Sequence, residues 1–159
     1  MIRVGPAGWS YPDWDGKVWP RSKPKDFHGL AFLARYVTCM EVNSSFYALP
    51  QAKHCGRWAS LLEPFPGFAL IMKLHQSFTH GAWDETAAKD SARKFLDALV
   101  PLERAKLLHA VLVQFPITFL HGRDEVLRLG RIRRLFENQT LVLEMRHRSW
   151  FDPPALHEI

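Results

Sequence analysis

Apolar runs and amphipathic stretches alternate along this chain. IRVGPAGW (2–9) reads as a short strand ending in glycine, and residues 10–28 as a long loop rich in Pro, Trp and Lys. GLAFLARYV (29–37) sets Leu30, Leu33, Ala34 and Val37 on one face at helical spacing. A second strand is predicted over TCMEVNSSFY (38–47), then a helix over 51–62 that Pro64 and Pro66 stop. FALIMKL (68–74) is apolar on both faces until Lys73. Residues 84–99 predict a helix with Asp84 and Glu85 at its positive end. HAVLVQFP (109–116) is a fourth strand, 123–136 a fourth helix and TLVLEMR (140–146) a fifth strand; Pro153 and Pro154 open a further helix.

Strands that are apolar on both faces and separated by helices predict an α/β fold with a parallel sheet. Two architectures fit. An open doubly wound sheet is complete at five strands, whereas a TIM-type (β/α)8 barrel needs about 250 residues. The length of 159 residues favours the open sheet. Against it, GPAGWSY after the first strand is no GxGxxG phosphate loop. The chain also reaches Ile159 early in a helix with no capping sequence, so an incomplete chain is expected.

Composition narrows the setting. No apolar run approaches the roughly 18 residues of a membrane span, and no membrane contact is expected. Hydrophobic residues at 47% and charged residues at 23% are ordinary for a globular protein. Met1 leads straight into a predicted strand, and Cys39 and Cys55 are too few for a disulfide scaffold. A cytoplasmic protein is the expectation. The net charge is +5, concentrated in residues 1–80, where nine Lys/Arg face five Asp/Glu. That favours anionic partners, but only mildly.

Chemistry collects where the predicted strands end, which is where parallel α/β folds place their sites. LVLEMRHRSWFD (141–152) starts apolar and turns ionic. Glu144 and Arg146 share a face, as do Glu41 and Asn43, and Lys73 and His75, because side chains alternate along a strand. Gln114 ends the fourth strand. Buried charges pair or serve a site. Glu41, Glu144, Lys73 and Arg146, taken as lying at equal depth, would form one nearly neutral pocket. A carboxylate there suits a general acid or base, and the cations suit an anion or oxyanion. The bland reading makes Glu144–Arg146 a structural pair between strands.

Other chemistries have less support. A Schiff base on Lys73 needs a desolvated amine, which two nearby glutamates oppose. His75, His80 and His147 follow strand ends, but no HExxH or tight cluster accompanies them, so no metal is expected. No GxSxG elbow is present. No motif names a cofactor. Trp9, Tyr11, Trp14 and Trp19 lie among Lys17, Arg21, Lys23 and Lys25, while Tyr47 and Trp150 sit just past strand ends. Aromatics beside cations suit stacking on bases or sugar faces; the plainer reading is a small core for a long loop. Arg128, Arg131 and Arg134 read as a solvated helix stripe.

GWSYPDWDGKVWP, EVNSSFYALP, MKLHQSFTH, PLERAKLLHAVLVQFP and LEMRHRSWFD occur in that order. Together they resemble the YecE-like family, known as domain of unknown function 72. The resemblance implies a TIM-type barrel of which this chain holds the first five βα units. It supplies a fold and a site face rather than a reaction. Trp9, Tyr11, Glu41, Asn43, Tyr47, Lys73, His80, Gln114, Glu144, Arg146, His147 and Trp150 stand at positions it covers. Gly5-Pro6-Ala7-Gly8-Trp9 departs from the usual Gly-Thr-Ser-Gly-Trp and loses two hydroxyls, and Ala48 stands where Arg is frequent.

The leading reading is a barrel enzyme acting on a polar, phosphorylated or sugar-like small molecule. Glu41 and Glu144 are its acid/base candidates, and Lys73 and Arg146 its anion holders. Trp9, Tyr11, Asn43, Tyr47, His75, His80, Gln114, His147 and Trp150 are its ligand-binding candidates. One rival is a nucleic-acid-binding or repair-like protein using the basic aromatic loop. Another is a non-catalytic binding module. Nothing in the pattern fixes an oligomeric state.

Overall fold

The computed structural model of the chain describes residues 2–152. Four parallel strands form one sheet in the order β1 (Cys39–Val42), β2 (Ala69–Lys73), β3 (Leu108–Gln114), β4 (Leu141–Glu144). Helices make every crossover. α1 (Gly29–Leu33) precedes β1, and α2 (Ser44–Tyr47) with α3 (Ala52–Leu62) leads to β2. α4 (Gln76–Thr79) and α5 (Glu85–Arg104) lead to β3, and α6 (Arg123–Leu135) to β4. The strand order does not reverse among the described strands, as it would at the switch point of a doubly wound sheet.

The two faces of the sheet differ. Met40, Val42, Leu70, Met72, Val111 and Val113 point to one face, and each is 0% exposed. The long helices cover this face, with Leu62 of α3, Phe95, Leu99 and Leu102 of α5, and Ile132 of α6 completing the core. Burying a side chain of this size contributes about 1.5–3 kcal/mol relative to leaving it in water. Glu41, Ile71, Lys73, Ala110, Leu112, Gln114, Val142 and Glu144 alternate onto the other face. On β4 that face is open, with Val142 46% exposed.

Several sequence expectations need correction. Residues 2–9 are not a strand. They run beside β1, where Val4 O accepts from Thr38 N and Pro6 O from Glu41 N, but only a single bridge, Ala7–Glu41, is made. Pro6 has no N–H to return a ladder bond, and strands tolerate proline only at edges. Gly5 lies so close to the Cys39 carbonyl that a Cβ would fall 1.7 Å from its oxygen. Among the described residues the sheet therefore has four strands, not five. The stretch 38–47 stops being strand at Val42, then turns once as α2. α5 does not end at Leu99 but runs through Pro101 to Arg104. Proline removes one helical bond, yet buried Leu99 and Leu102 hold this last turn against the core. The helix expected from Pro153 onward lies outside the described residues.

The long loop after Trp9 has a core of its own. Trp19 is buried against Trp14, Phe27 and Phe32, with ring centroids 5.3–5.6 Å apart. Lys23 pairs with Asp15. The plainer reading of these aromatics accounts for Trp14 and Trp19.

Candidate functional site

β1 delivers Glu41, β2 Lys73, β3 Gln114 and β4 Glu144 to the open face at its C-terminal end, with Arg146 just beyond. They are not at equal depth along the ladder, as the sequence suggested. Glu41 pairs with Ile71, two residues before Lys73; Lys73 pairs with Leu112, two before Gln114; Gln114 pairs with Glu144. A stagger of this kind is what tilted strands need to bring side chains to one height. Periodicity reveals which face a residue takes but not how its strand slides against the next.

The charged groups interlock. Lys73 Nζ lies 4.0 Å from Glu41 Oε1 and 4.8 Å from the centre of the Phe46 ring. Glu144 Oε2 accepts from Gln114 Nε2 at 2.7 Å, and Glu144 Oε1 accepts from Arg146 Nε at 2.9 Å. Both carboxylate oxygens of Glu144 are thus held. The buried Ser45 hydroxyl lies 2.7 Å from the Val42 and Lys73 carbonyls, tying the ends of β1 and β2.

The two carboxyls are pushed apart in acidity. Burial raises Glu41 above the ordinary glutamate range; Lys73 and Arg146 pull it down, while Glu144 pushes it up. Burial also works on Glu144, but the bonds from Gln114 and Arg146 and the charges of Arg146 and Lys73 outweigh it, so Glu144 lies below its ordinary range. His80 stands over this cluster with its ring edge-on to Phe46 at 5.1 Å. Burial lowers its basicity, and the cations Arg128, Lys73 and Arg146 lower it further.

His75 and His147 serve local structure. Each Nδ1 accepts from a backbone N–H two residues on, Ser77 and Ser149 respectively, and so caps the following turn. Burial lowers His75, with a backbone contact at Tyr47 acting in the opposite sense. Trp150 is 1% exposed, and its indole N–H donates to Phe119 O at 2.7 Å. It stacks on Phe119 as part of the core, so it is no pocket wall. Among the described residues no group of three His, Cys, Asp or Glu is placed to hold a metal.

Trp9, Tyr11, Asn43 and Tyr47 gather in a separate cleft of about 450 Å³, joined by Trp58 from α3. The Tyr11 hydroxyl donates to Ala7 O. Nothing in the sequence marked Trp58, because a tryptophan in a helix reads equally well as core. A groove of about 650 Å³ between α6 and β4, lined by Val126, Leu129, Ile132, Leu141 and Leu143, lies away from the charged groups. It is an uncovered junction of helix and strand.

Arg128 was expected in water. Instead its Nε donates to Phe78 O and one terminal nitrogen to Gly81 O, both at 2.9 Å, with the guanidinium over the Trp83 ring. It fastens the segment that carries His80. Such a role follows from the carbonyls at the end of α4, which no pattern of arginines reveals.

These features define a parallel α/β protein with a charged cluster at the carboxyl ends of its strands. The chain belongs to the family described as protein of unknown function DUF72, whose model matches residues 3–158. It is 30% identical over 158 residues to the UPF0759 protein YunF of Bacillus subtilis, covering 97% of this chain and 54% of that one. Among solved structures, a DUF72 family protein (TM1631) of Thermotoga maritima superposes with TM-score 0.76 at 28% identity, over 99% of this chain and 60% of that one. A DUF72 family protein (EF0366) of Enterococcus faecalis gives TM-score 0.78 at 26% identity, over 99% of this chain and 55% of that one. The chain therefore spans a little over half the length of these relatives. No helix among the described residues is long and apolar enough to cross a membrane.

Proposed function

We propose that this chain is the N-terminal part of a TIM-type barrel enzyme that uses Glu41 and Glu144 as an acid/base pair on a polar, phosphorylated or sugar-like ligand. The observation that carries the reading is two carboxyls on one sheet face in unlike surroundings: Glu41 lies 4.0 Å from Lys73, while Glu144 accepts from both Gln114 and Arg146, and burial raises the first as these bonds lower the second. Titratable pairs whose environments push them apart mark acid and base roles. Glu41, held toward its protonated form, is the proton donor. Glu144, ionised and fixed by Gln114 and Arg146, is the base or the group facing developing positive charge. Lys73 and Arg146 hold the anionic part of the ligand.

The unreversed parallel order, the stagger and the likeness to the DUF72 structures support the barrel. The remaining units would cover the open face, in a whole protein of about 250 residues. The nucleic-acid reading has less to stand on, since Trp19 is buried and Lys23 is paired.

The test is a panel of p-nitrophenyl phosphates and glycosides with wild type, Glu41→Gln and Glu144→Gln. The expected result is turnover that falls about 10²–10⁴-fold in each variant. Turnover unchanged in both variants would sink the acid/base assignment. Nucleic acid bound tightly, with a steep loss on adding salt, would favour the rival reading.

A further inference from the structure

We infer that the cleft between Trp9, Tyr11, Tyr47 and Trp58 is a subsite for a neutral, hydroxyl-bearing ring of the sugar class. The inference rests on the proposed reading for the kind of ligand and adds where its ring sits. No side chain lining the cleft is charged; besides the aromatics it presents Ser10, Asn43 and Ser44. An anionic group has no cationic partner in it, whereas a hydroxylated ring finds both donors and acceptors.

Asn43 makes the cleft more than an apolar hollow. It occupies the N-cap of α2, a position where asparagine ordinarily bonds the first turn, yet its side chain caps nothing. Its Oδ1 is buried and has no hydrogen-bond partner. A buried acceptor left unpaired costs free energy, and because Asn43 lines the cleft, a turn of its amide would bring that oxygen to a hydroxyl of a bound ring and remove the cost. Trp9 and Trp58 meet edge-to-face, at 83° and 5.4 Å between centroids. This arrangement offers one aromatic face at a time. It suits the C–H face of a pyranose and does not make the parallel sandwich that grips a flat base.

α2 joins this cleft to the charged cluster. Its Phe46 lies under Lys73, and its neighbour Tyr47, 69% exposed, lines the cleft. The two rings meet at 5.1 Å. One short turn thus presents an aromatic ring to each place.

The test is titration of the full chain's tryptophan fluorescence with methyl β-glucopyranoside, alongside adenosine and inorganic phosphate. The glucoside should saturate with a Kd on the order of 1 mM, as expected of a ligand of its size. Asn43→Ala should weaken it about tenfold, and Tyr47→Ala several-fold, with neither variant less stable than wild type in urea unfolding. Glu144→Gln should bind the glucoside as wild type does. If the glucoside binds but no variant alters turnover, the acid/base reading fails and the subsite stands. The inference is overturned if the glucoside does not saturate by about 50 mM, if adenosine binds more tightly than the glucoside, or if Tyr47→Ala and Asn43→Ala leave binding unchanged.

Discussion

The two faces of the sheet are made by the same four strands but hold opposite chemistry. On the helix-covered face Met40, Val42, Leu70, Met72, Val111 and Val113 are apolar and shut off from water, and only β4 is partly open there, at Leu143. On the other, Glu41, Lys73, Gln114 and Glu144 occupy alternate positions, and Val142 stands half open. The difference separates the residues that hold the fold from those proposed to serve the site. The covered face has its helices within residues 2–152. The open face carries paired charges whose arrangement adds little to a hydrophobic core. Surface and half-exposed ion pairs contribute only about 0–1 kcal/mol, so Glu144 with Arg146 is not explained by stability.

That contrast is open to attack. The largest effects should come from a pair of variants on opposite faces. Phe95→Ala should lower unfolding free energy by about 3–5 kcal/mol, read by urea denaturation. Glu144→Gln should stay within about 1 kcal/mol of wild type while losing activity. Equal destabilisation by both would erase the distinction between faces.

Next, Arg128→Ala should cost roughly 1–3 kcal/mol, through two lost bonds to the Phe78 and Gly81 carbonyls. It should also raise the titration point of His80, since Arg128 is among the charges that depress it. An unmoved His80 resonance in an NMR pH series would separate Arg128 from the site.

A smaller and more specific effect concerns pH. Glu41 is raised in the folded state, so its contribution to stability is complete below its ordinary range and fades as pH climbs through the raised value. Glu144 is lowered, so its contribution is present above the ordinary range and fades as pH falls through the depressed value. Glu41→Gln should remove the first slope and Glu144→Gln the second. Lys73→Met takes away a cation that lowers Glu41, and the first slope should move to higher pH. Thermal melts from pH 3 to 8, roughly the range spanning both carboxyls, distinguish these cases.

The smallest change in stability, within about 0.5 kcal/mol, is expected from Val142→Ser on the open face. Its value lies in solubility. Exposed apolar surface beside an open strand edge promotes association, so the wild-type chain alone should be poorly soluble or self-associating. Val142→Ser should reduce this in light scattering. A monodisperse wild-type chain with a single cooperative melt would show that the open face is no liability.

Much of the fold was legible because parallel strands leave a strong local mark. Met40 and Val42, or Leu70 and Met72, are apolar on a run short enough to be strand, and Pro64, Pro66 and Asp84 punctuate what lies between. The failures share one cause. Residues 2–9 have strand-like composition, but Pro6 and the tight approach of Gly5 to Cys39 deny them a ladder, and that depends on the neighbour. Arg128 looked solvated because the carbonyls it reaches, Phe78 and Gly81, lie 50 and 47 residues earlier in the chain. Trp150 looked available for a ligand because its cover, Phe119, comes from another loop.

The sequence by itself determined the strand–helix alternation from α1 to β4, the side-chain alternation that sends Glu41, Lys73, Gln114 and Glu144 to one face, and the family to which the chain belongs. These depend on local periodicity and on the order of residues, both carried in the string of letters. Only the tertiary structure decided the stagger of the strands, the opposite displacement of the two glutamates, and the separation of the aromatic cleft from the charged cluster. Each depends on distance, burial or register between residues far apart in the chain. Coulomb forces and desolvation act across space, and sequence spacing does not measure it.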